Sequence, residues 1–496
     1  RKYNRRILNV ETKPNVTAIQ ESNSINPDYF SLFGDLEGKA RELFDNMKDA
    51  KDLGSIIRVK LTVEELTELK NKAEEIENSF YDNFFDKARQ SGIATEFIPL
   101  IEQAIILAQK YEVVVTNPPY MGASGMNDKL AKYVKKNSPD SKSDLFAVFI
   151  EKCHQMTREN GYQAMITQHA WMFLSSYEKL REKMLHINIV SMAHLGARAF
   201  DEIGGEVVQT TSFVMKNCDF INYKGTYCRL IEPTNEAGKE ELFLSTDHCP
   251  LFTCSQSNFS KIPGSPVAYW VSEKALTLCE ESSIFEEYAT TRAGMITGNN
   301  NMFIRLWTEV DKRRLGVLLH SRDEAIRSNK KWFPYNKGGD YRKWYGNNCH
   351  IVNWENDGFF MRNYKDSSGK VPAHAFNLEY IFKENVTWNS LSSYKFAARY
   401  TDYGFLYDAS GSFADIESEN IYYTLAFLCS EVAFFYLSAM NPTLNFQKGN
   451  ISTLPFIIKE ERKTIINDLT KNNILVSKND WDSYETSWDF KRNPLV

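Results

Sequence analysis

Between Pro99 and Lys216 the chain alternates between helical and extended hydrophobic patterns, and no other feature restricts its fold so strongly. Leu100–Gln109 reads as a helix behind Pro99, and Glu112–Thr116 as a short Val-rich buried strand. Asp144–Thr157 is helical in pattern, Gly161 marks a turn, and Gln163–Thr167 is a second strand. A helix over Ser175–Leu185, a strand over Ile187–Leu195 and a β-branched strand over Val207–Lys216 complete the series. Strand and helix in turn, with short connections, predict an open α/β sheet. Beyond residue 225 short strands, Gly-rich turns and aromatics replace that regularity, so a second domain is expected there. The first hundred residues are polar and helical. Thr62 and Glu65 form a capping box ahead of Val63, Leu66, Leu69, Ala73 and Ile76 at helical spacing.

Composition narrows the function classes. With 496 residues, 43% hydrophobic and 25% charged, the chain is neither disordered nor a rod and has room for several domains. Tyr422–Met440 carries one charge, Glu431, at its middle, which favours a buried helix over a membrane span. No membrane partner is expected. Eight cysteines include no CxxC, and His248-Cys249 with Cys254 fits no zinc spacing. Reduced thiols and a cytoplasmic location are expected, with no metal. A net charge of −5 argues against nucleic-acid binding, but residues 301–400 hold 17 Lys plus Arg against 10 Asp plus Glu. The same stretch holds five of the nine tryptophans. Basic residues among aromatics can grip a phosphate backbone and stack on bases; an aromatic core under solvated lysines gives the same pattern.

The sharpest local signal is Asn117-Pro118-Pro119-Tyr120, directly after the strand Glu112–Thr116. Ligands bind at the carboxyl ends of strands in open α/β sheets. The two prolines fix the backbone, so an amide and a rigid carbonyl form a pair of acceptors suited to an exocyclic amine. Tyr120 adds a flat face for a base. The exocyclic nitrogen of adenine is conjugated to its ring and weakly nucleophilic. Acceptors that favour a tetrahedral nitrogen localise its lone pair for attack on a methyl sulfonium, by positioning and electrostatics. The base must first leave the helix stack, which calls for an aromatic clamp.

These residues resemble the γ-type N6-adenine DNA methyltransferases, and within them the PglX family of BREX phage-defence methyltransferases. The resemblance is carried by Val113–Gly122 (VVVTNPPYMG), Ser141–Ile150 (SKSDLFAVFI), Trp171–Leu180 (WMFLSSYEKL) and Gly196–Ser212 (GARAFDEIGGEVVQTTS). It continues through Lys331–Gly346 (KWFPYNKGGDYRKWYG) and Asn441–Pro455 (NPTLNFQKGNISTLP), spanning roughly residues 110–490. It implies a Rossmann-like, S-adenosylmethionine-dependent methyltransferase sheet followed by an α+β target-recognition domain. Asn117 and the Pro118 carbonyl would hold the adenine amine, with Pro119 rigid beside them and Tyr120 stacked on the flipped base. Phe200 would take the base's other face or edge. Phe146, with Asp144 and Asn117, would line the cofactor. Lys330, Lys331, Lys337, Arg342, Lys343, Lys448 and Asn450 would reach DNA, and Gly449 would supply a left-handed turn. Lys129, Lys132, Lys135, Lys136 and Lys142 read either as a solvated loop or as phosphate contacts.

The resemblance also sets expectations about extent. A glycine-rich cofactor motif should precede Asn117, yet Gly34-Asp35-Leu36-Glu37-Gly38 has the wrong spacing and no strand before it. With Arg1 in place of Met, a middle fragment is expected, holding only the C-terminal half of the sheet. The expected divisions are a helical segment at 1–98, a catalytic part at 99–225, a target-recognition domain at 226–460 and a helical connector at 461–496. The implied function is methylation of adenine N6 in double-stranded DNA, marking self DNA alongside other defence proteins. The alternative is a DNA-binding or assembly subunit of a restriction–modification or defence complex, without turnover of its own. A methylase–nuclease fusion would need an Asp with Glu-x-Lys, and no convincing instance is present.

Overall fold

A computed structural model describes residues 14–202, 208–220, 222–392, 394–442 and 445–493. The chain divides into two compact units, 1–256 and 257–496, both mixed α/β.

The first unit is built on a six-stranded sheet: β1 (Tyr111–Thr116), β2 (Thr157–Gln168), β3 (Asn188–Ala197), β4 (Gln209–Lys216), β5 (Lys224–Arg229) and β6 (Leu251–Ser255). Their spatial order is β1-β2-β4-β3-β5-β6. β1 runs parallel to β2, β4 is antiparallel to both β2 and β3, β3 is parallel to β5, and β6 is antiparallel to β5. The sheet is therefore mixed rather than purely parallel. It also extends past the boundary expected after residue 225, which falls inside β5. Helix Glu236–Leu244, inserted between β5 and β6, hides the strand alternation there.

Gly161, expected to mark a turn, lies inside a strand. β2 continues through it, and the β1–β2 register shifts between the Tyr111↔Thr157 and Val113↔Tyr162 pairs. Asn160 adopts φ 63° at this irregularity, and a Cβ on Gly161 would lie 2.8 Å from the Glu112 carbonyl. The glycine permits a bulge with close strand approach instead of ending the strand.

The segment before β1 shares its core with the helices beside the sheet. The Thr62/Glu65 capping box opens helix Val63–Glu77, which buries Leu66, Leu69, Ala73 and Ile76. Phe84–Ala108 is long and apolar enough to cross a membrane by length and composition. Its Ile93, Phe97, Leu100, Ile101 and Ala104 are buried in one cluster with Leu130, Val134, Leu145 and Val148. That packing is the pattern of a core helix.

The second unit holds two four-stranded sheets and a two-stranded ribbon. One sheet orders Leu406–Tyr407, Trp332–Asn336, His350–Asn353 and Ile304–Leu306; the other orders Ala398–Thr401, Asn385–Asn389, Gly411–Ile416 and Ala289–Arg292. The single buried helix expected over 422–440 is two helices, Ile421–Leu428 and Glu431–Met440, bent by 69°. Ser430 caps the second by accepting from the Ala433 N–H. Glu431 thus stands in a first helical turn, where the dipole favours it, rather than mid-span. Lys448–Ser452 is a short helix, and Gly449 lies within it without a positive φ, so the expected left-handed turn is absent.

Candidate active site

β1 delivers Asn117 to the carboxyl edge of the sheet. Asn117 is exposed, Pro118 buried, Pro119 exposed and Tyr120 half-buried. Burying Pro118 fixes the turn, so the Asn117 amide projects from a rigid base. Asp144 secures the backbone just beyond Tyr120. Its Oδ1 accepts from Met121 N–H at 3.0 Å and from Phe146 N–H at 3.3 Å, capping helix Leu145–Met156. Leu145 N–H returns a bond to the Met121 carbonyl at 3.0 Å. Burial raises the Asp144 carboxyl above its ordinary value, against those backbone donors.

Tyr120 is braced from behind. The Phe146 ring meets it edge-on, with centroids 6.2 Å apart at 82°, and Phe146 in turn packs on Tyr177 at 5.8 Å. Phe146 has no exposed surface. The Tyr120 hydroxyl is buried without a hydrogen-bond partner among the described residues. Burial, then the nearby Asp144 charge, raises the Tyr120 phenol, which therefore stays protonated as a donor.

Phe200 is half-buried in the loop after β3. Because β1 and β3 run in the same direction, its loop and the Asn117 turn lie at the same edge of the sheet. β2 and β4 separate them, which puts the strand axes about 14 Å apart. A planar group can lie over the ends of the two middle strands.

β2 and β3, on either side of β4, contribute residues that the sequence reading missed. His169 follows β2, and its Nδ1 shares a 2.9 Å hydrogen bond with Nε2 of His194 on β3. Both rings are buried. Burial pushes His169 down to about 4 and holds His194 well below its ordinary value, with His169, Arg229 and Lys239 adding to the effect. Both imidazoles are therefore neutral at pH 7. Lys239, itself buried, donates 2.7 Å bonds to the carbonyls of Leu195 and Leu230, anchoring the strand that leads to Phe200. The available signal was histidine near the ends of two strands, which carries little weight without knowing that those strands flank the same partner, β4.

In the second unit, several cations expected to reach DNA serve internal contacts. Arg342 bonds the carbonyls of Tyr345 and Ser477, pairs with Asp480 at 2.5 Å and lies over Trp481. Lys343 donates to the Cys429 carbonyl at 2.9 Å, and Lys330 to that of Arg313 at 2.5 Å. Lys331 stands 3.7 Å from Glu355 and Lys337 3.8 Å from Asp408. Lys448 is exposed, and Asn450 accepts from Asn441 at 3.5 Å. Arg399, fully buried, was also missed. It donates to Asn389 Oδ1 at 2.6 Å, and Asn389 holds the Gly339 carbonyl, so the loop after Trp332–Asn336 is tied to the core.

The residues assigned to the cofactor do not assemble a donor site by themselves. The Asp144 Oδ1 is spent on backbone N–H groups and Phe146 is sealed in, leaving the Asn117 amide and the other Asp144 oxygen as the open groups.

Residues 20–200 match the family model of the Eco57I restriction-modification methylase. The particular relatives are named adenine-specific methyltransferases. PglX of Lacticaseibacillus casei (strain Zhang) is 40% identical over 508 residues, covering 100% of this chain and 42% of that protein. BrxX of Escherichia coli O9:H4 (strain HS) is 41% identical over 455 residues, covering 90% of this chain and 35% of the relative. The resemblance read from the motifs is thus a homology running through most of the chain, and the chain spans less than half the length of either relative. Among solved structures, the Type IIL restriction-modification enzyme MmeI in complex with DNA matches with TM-score 0.49 at 12% identity, covering 77% of this chain and 51% of that one.

Proposed function

We propose that this chain is the base-holding and DNA-contacting part of an adenine-specific DNA methyltransferase that marks self DNA in phage defence. The full enzyme would transfer a methyl group from S-adenosylmethionine to the N6 amine of a flipped-out adenine. The observation that carries this reading is the exposed Asn117 amide, set at a strand's carboxyl end by a buried Pro118 and followed by Tyr120 braced on Phe146. The Asn117 Oδ1 and the Pro118 carbonyl would accept the two amine protons, and Tyr120 would stack on the base. Phe200 would close over the base from the neighbouring loop. The buried neutral His169–His194 pair would form an uncharged floor.

The topology supports reading β1 to β4 as the C-terminal half of a Rossmann-like sheet. β1 and β2 are parallel, the motif sits at their carboxyl end, and the other edge of β1 is open among the described residues. The residues of 257–496 would recognise the target, with Lys337 and Lys448 nearer to DNA than Arg342 or Lys343, which brace their own loop.

The test is Asn117→Ala in the full-length protein, read by sequencing for modified bases in cellular DNA. Methylation is expected to vanish, while DNA binding and thermal stability stay within error because the Asn117 side chain is exposed. Persisting N6-methylation would overturn the assignment.

A further inference from the structure

A cavity of about 650 Å3 lies in the first unit, and its lining, which does not include the Asn117 turn, is strongly basic. Lys48, Arg58 and Lys60 face it from the N-terminal helical part, and Lys129, Lys132 and Lys136 from helix Asp128–Asn137. Against these six cations stand two carboxylates, Asp45 and Asp49. Both are already engaged: Asp45 with Lys48 at 2.7 Å, and Asp49 with Lys129 at 2.7 Å. The Lys129 bond holds the Asp49 carboxyl below its ordinary value. Arg58 reaches Glu151 at 3.6 Å and Lys60 reaches Glu42 at 4.0 Å, both outside the lining. Lys132 and Lys136 have no ion pair among the described residues and are exposed.

Like charges facing one another across a concave surface repel, and such a cleft concentrates counter-ions. The cavity is as large as an ordinary ligand site. Its cations are five lysines and one arginine, point charges suited to phosphate rather than a fork for a planar carboxylate. Lys129, Lys132 and Lys136 stand at i, i+3 and i+7 on one helix face, a row about 10 Å long. A row of that length can meet consecutive phosphates, which a single compact anion could not span. The helix is also fixed in place, since the Tyr133 hydroxyl accepts from Arg58 N–H at 2.8 Å and Lys129 is tied to Asp49 and Asp52.

We infer that this cavity is a phosphate-binding site for a polyanion carrying several phosphates in a row. The ligand chemistry is shared by one strand of duplex DNA and by a free polyphosphate. The cavity's preference for phosphates stands by itself; only the choice of DNA as their source rests on the methylase reading above.

The experiment is calorimetric titration of the chain with inorganic tripolyphosphate, followed by competition with a short DNA duplex. The chain is expected to bind tripolyphosphate, and Lys132→Gln with Lys136→Gln to weaken it at least about fivefold. Both lysines are exposed, so the double variant should keep the parent's circular dichroism and melting temperature. Lys135→Gln, on the same helix but outside the lining, should leave the affinity unchanged. Displacement by duplex, with a salt slope lowered by about two in the double variant, identifies DNA as the source. Tripolyphosphate binding that duplex cannot displace supports the site with a free polyphosphate as its ligand. No binding, equal binding by the double variant, or an equal loss in Lys135→Gln would overturn the proposal.

Discussion

Single residues at the sheet's carboxyl edge couple the site to pH. In the unfolded chain His169 titrates near its ordinary value of 6.5, and in the folded protein near 4. The unfolded state therefore binds more protons between those values, and stability rises with pH across that window. The contribution is fully present above about pH 6.5 and is lost as pH falls towards 4; for His169 alone it amounts to about 3 kcal/mol. His194 shifts in the same direction and adds to the loss. Urea unfolding at pH 7.5 and pH 5 should show the folded chain markedly weakened at the lower value. In a His169→Gln, His194→Gln double variant the difference between the two pH values should shrink. An unchanged difference would place the acid sensitivity in other groups. The placement of the Asn117 turn at a strand end was legible one residue at a time, because Asn-Pro-Pro-Tyr is contiguous and follows the strand directly. The histidine pair was not, since its members are 25 residues apart and meet only because β4 lies between β2 and β3.

Whole elements were legible where their signals are local. The capping box of Val63–Glu77 gave start and type correctly, because the terminus of a helix is decided within a few residues; Pro99, read as a start, instead lies inside the continuous helix Phe84–Ala108, which passes through a π turn at Ile93–Phe97. The broken helix at 421–440 was not legible, because apolar residues on both sides of Cys429 conceal the cap at Ser430. Nor was the continuation into β5 and β6, whose pairing depends on partners far along the chain. The edge strand β1 yields a prediction of its own. It pairs on one side only among the described residues, and Val113 and Val115 are 57% and 71% exposed. An apolar strand with unpaired N–H and C=O groups is a template for pairing with another chain. The isolated chain is therefore expected to self-associate with rising concentration in light scattering. Val115→Lys should suppress that association, because a charge at an exposed edge opposes pairing while costing the fold little. Association undiminished in Val115→Lys would show that another surface drives it.

At the scale of the molecule, what this chain holds of the proposed donor site is one-sided. Asn117 is presented, but the Asp144 Oδ1 is committed to Met121 and Phe146 N–H groups, and Phe146 lies behind Tyr120 without exposed surface. The sequence ahead of Asn117 offers no glycine-rich turn after a strand, and the open edge of β1 has no neighbouring strand to carry one among the described residues. A cofactor with a charged amino-acid end and a ribose needs donors and acceptors on several sides. Where one flank is missing, its polar groups stay in water or go unpaired, and the surplus that would appear as affinity is lost. The 496-residue chain alone is therefore expected to bind S-adenosylmethionine weakly, with a dissociation constant no tighter than about millimolar, which corresponds to only about 4 kcal/mol. Base holding and phosphate binding do not depend on that flank and should survive in the same preparation. Calorimetric titration with S-adenosylmethionine separates the two behaviours. Micromolar binding by this chain would mean that residues within the first hundred already build the missing side, and that the Asn117 turn belongs to a complete pocket.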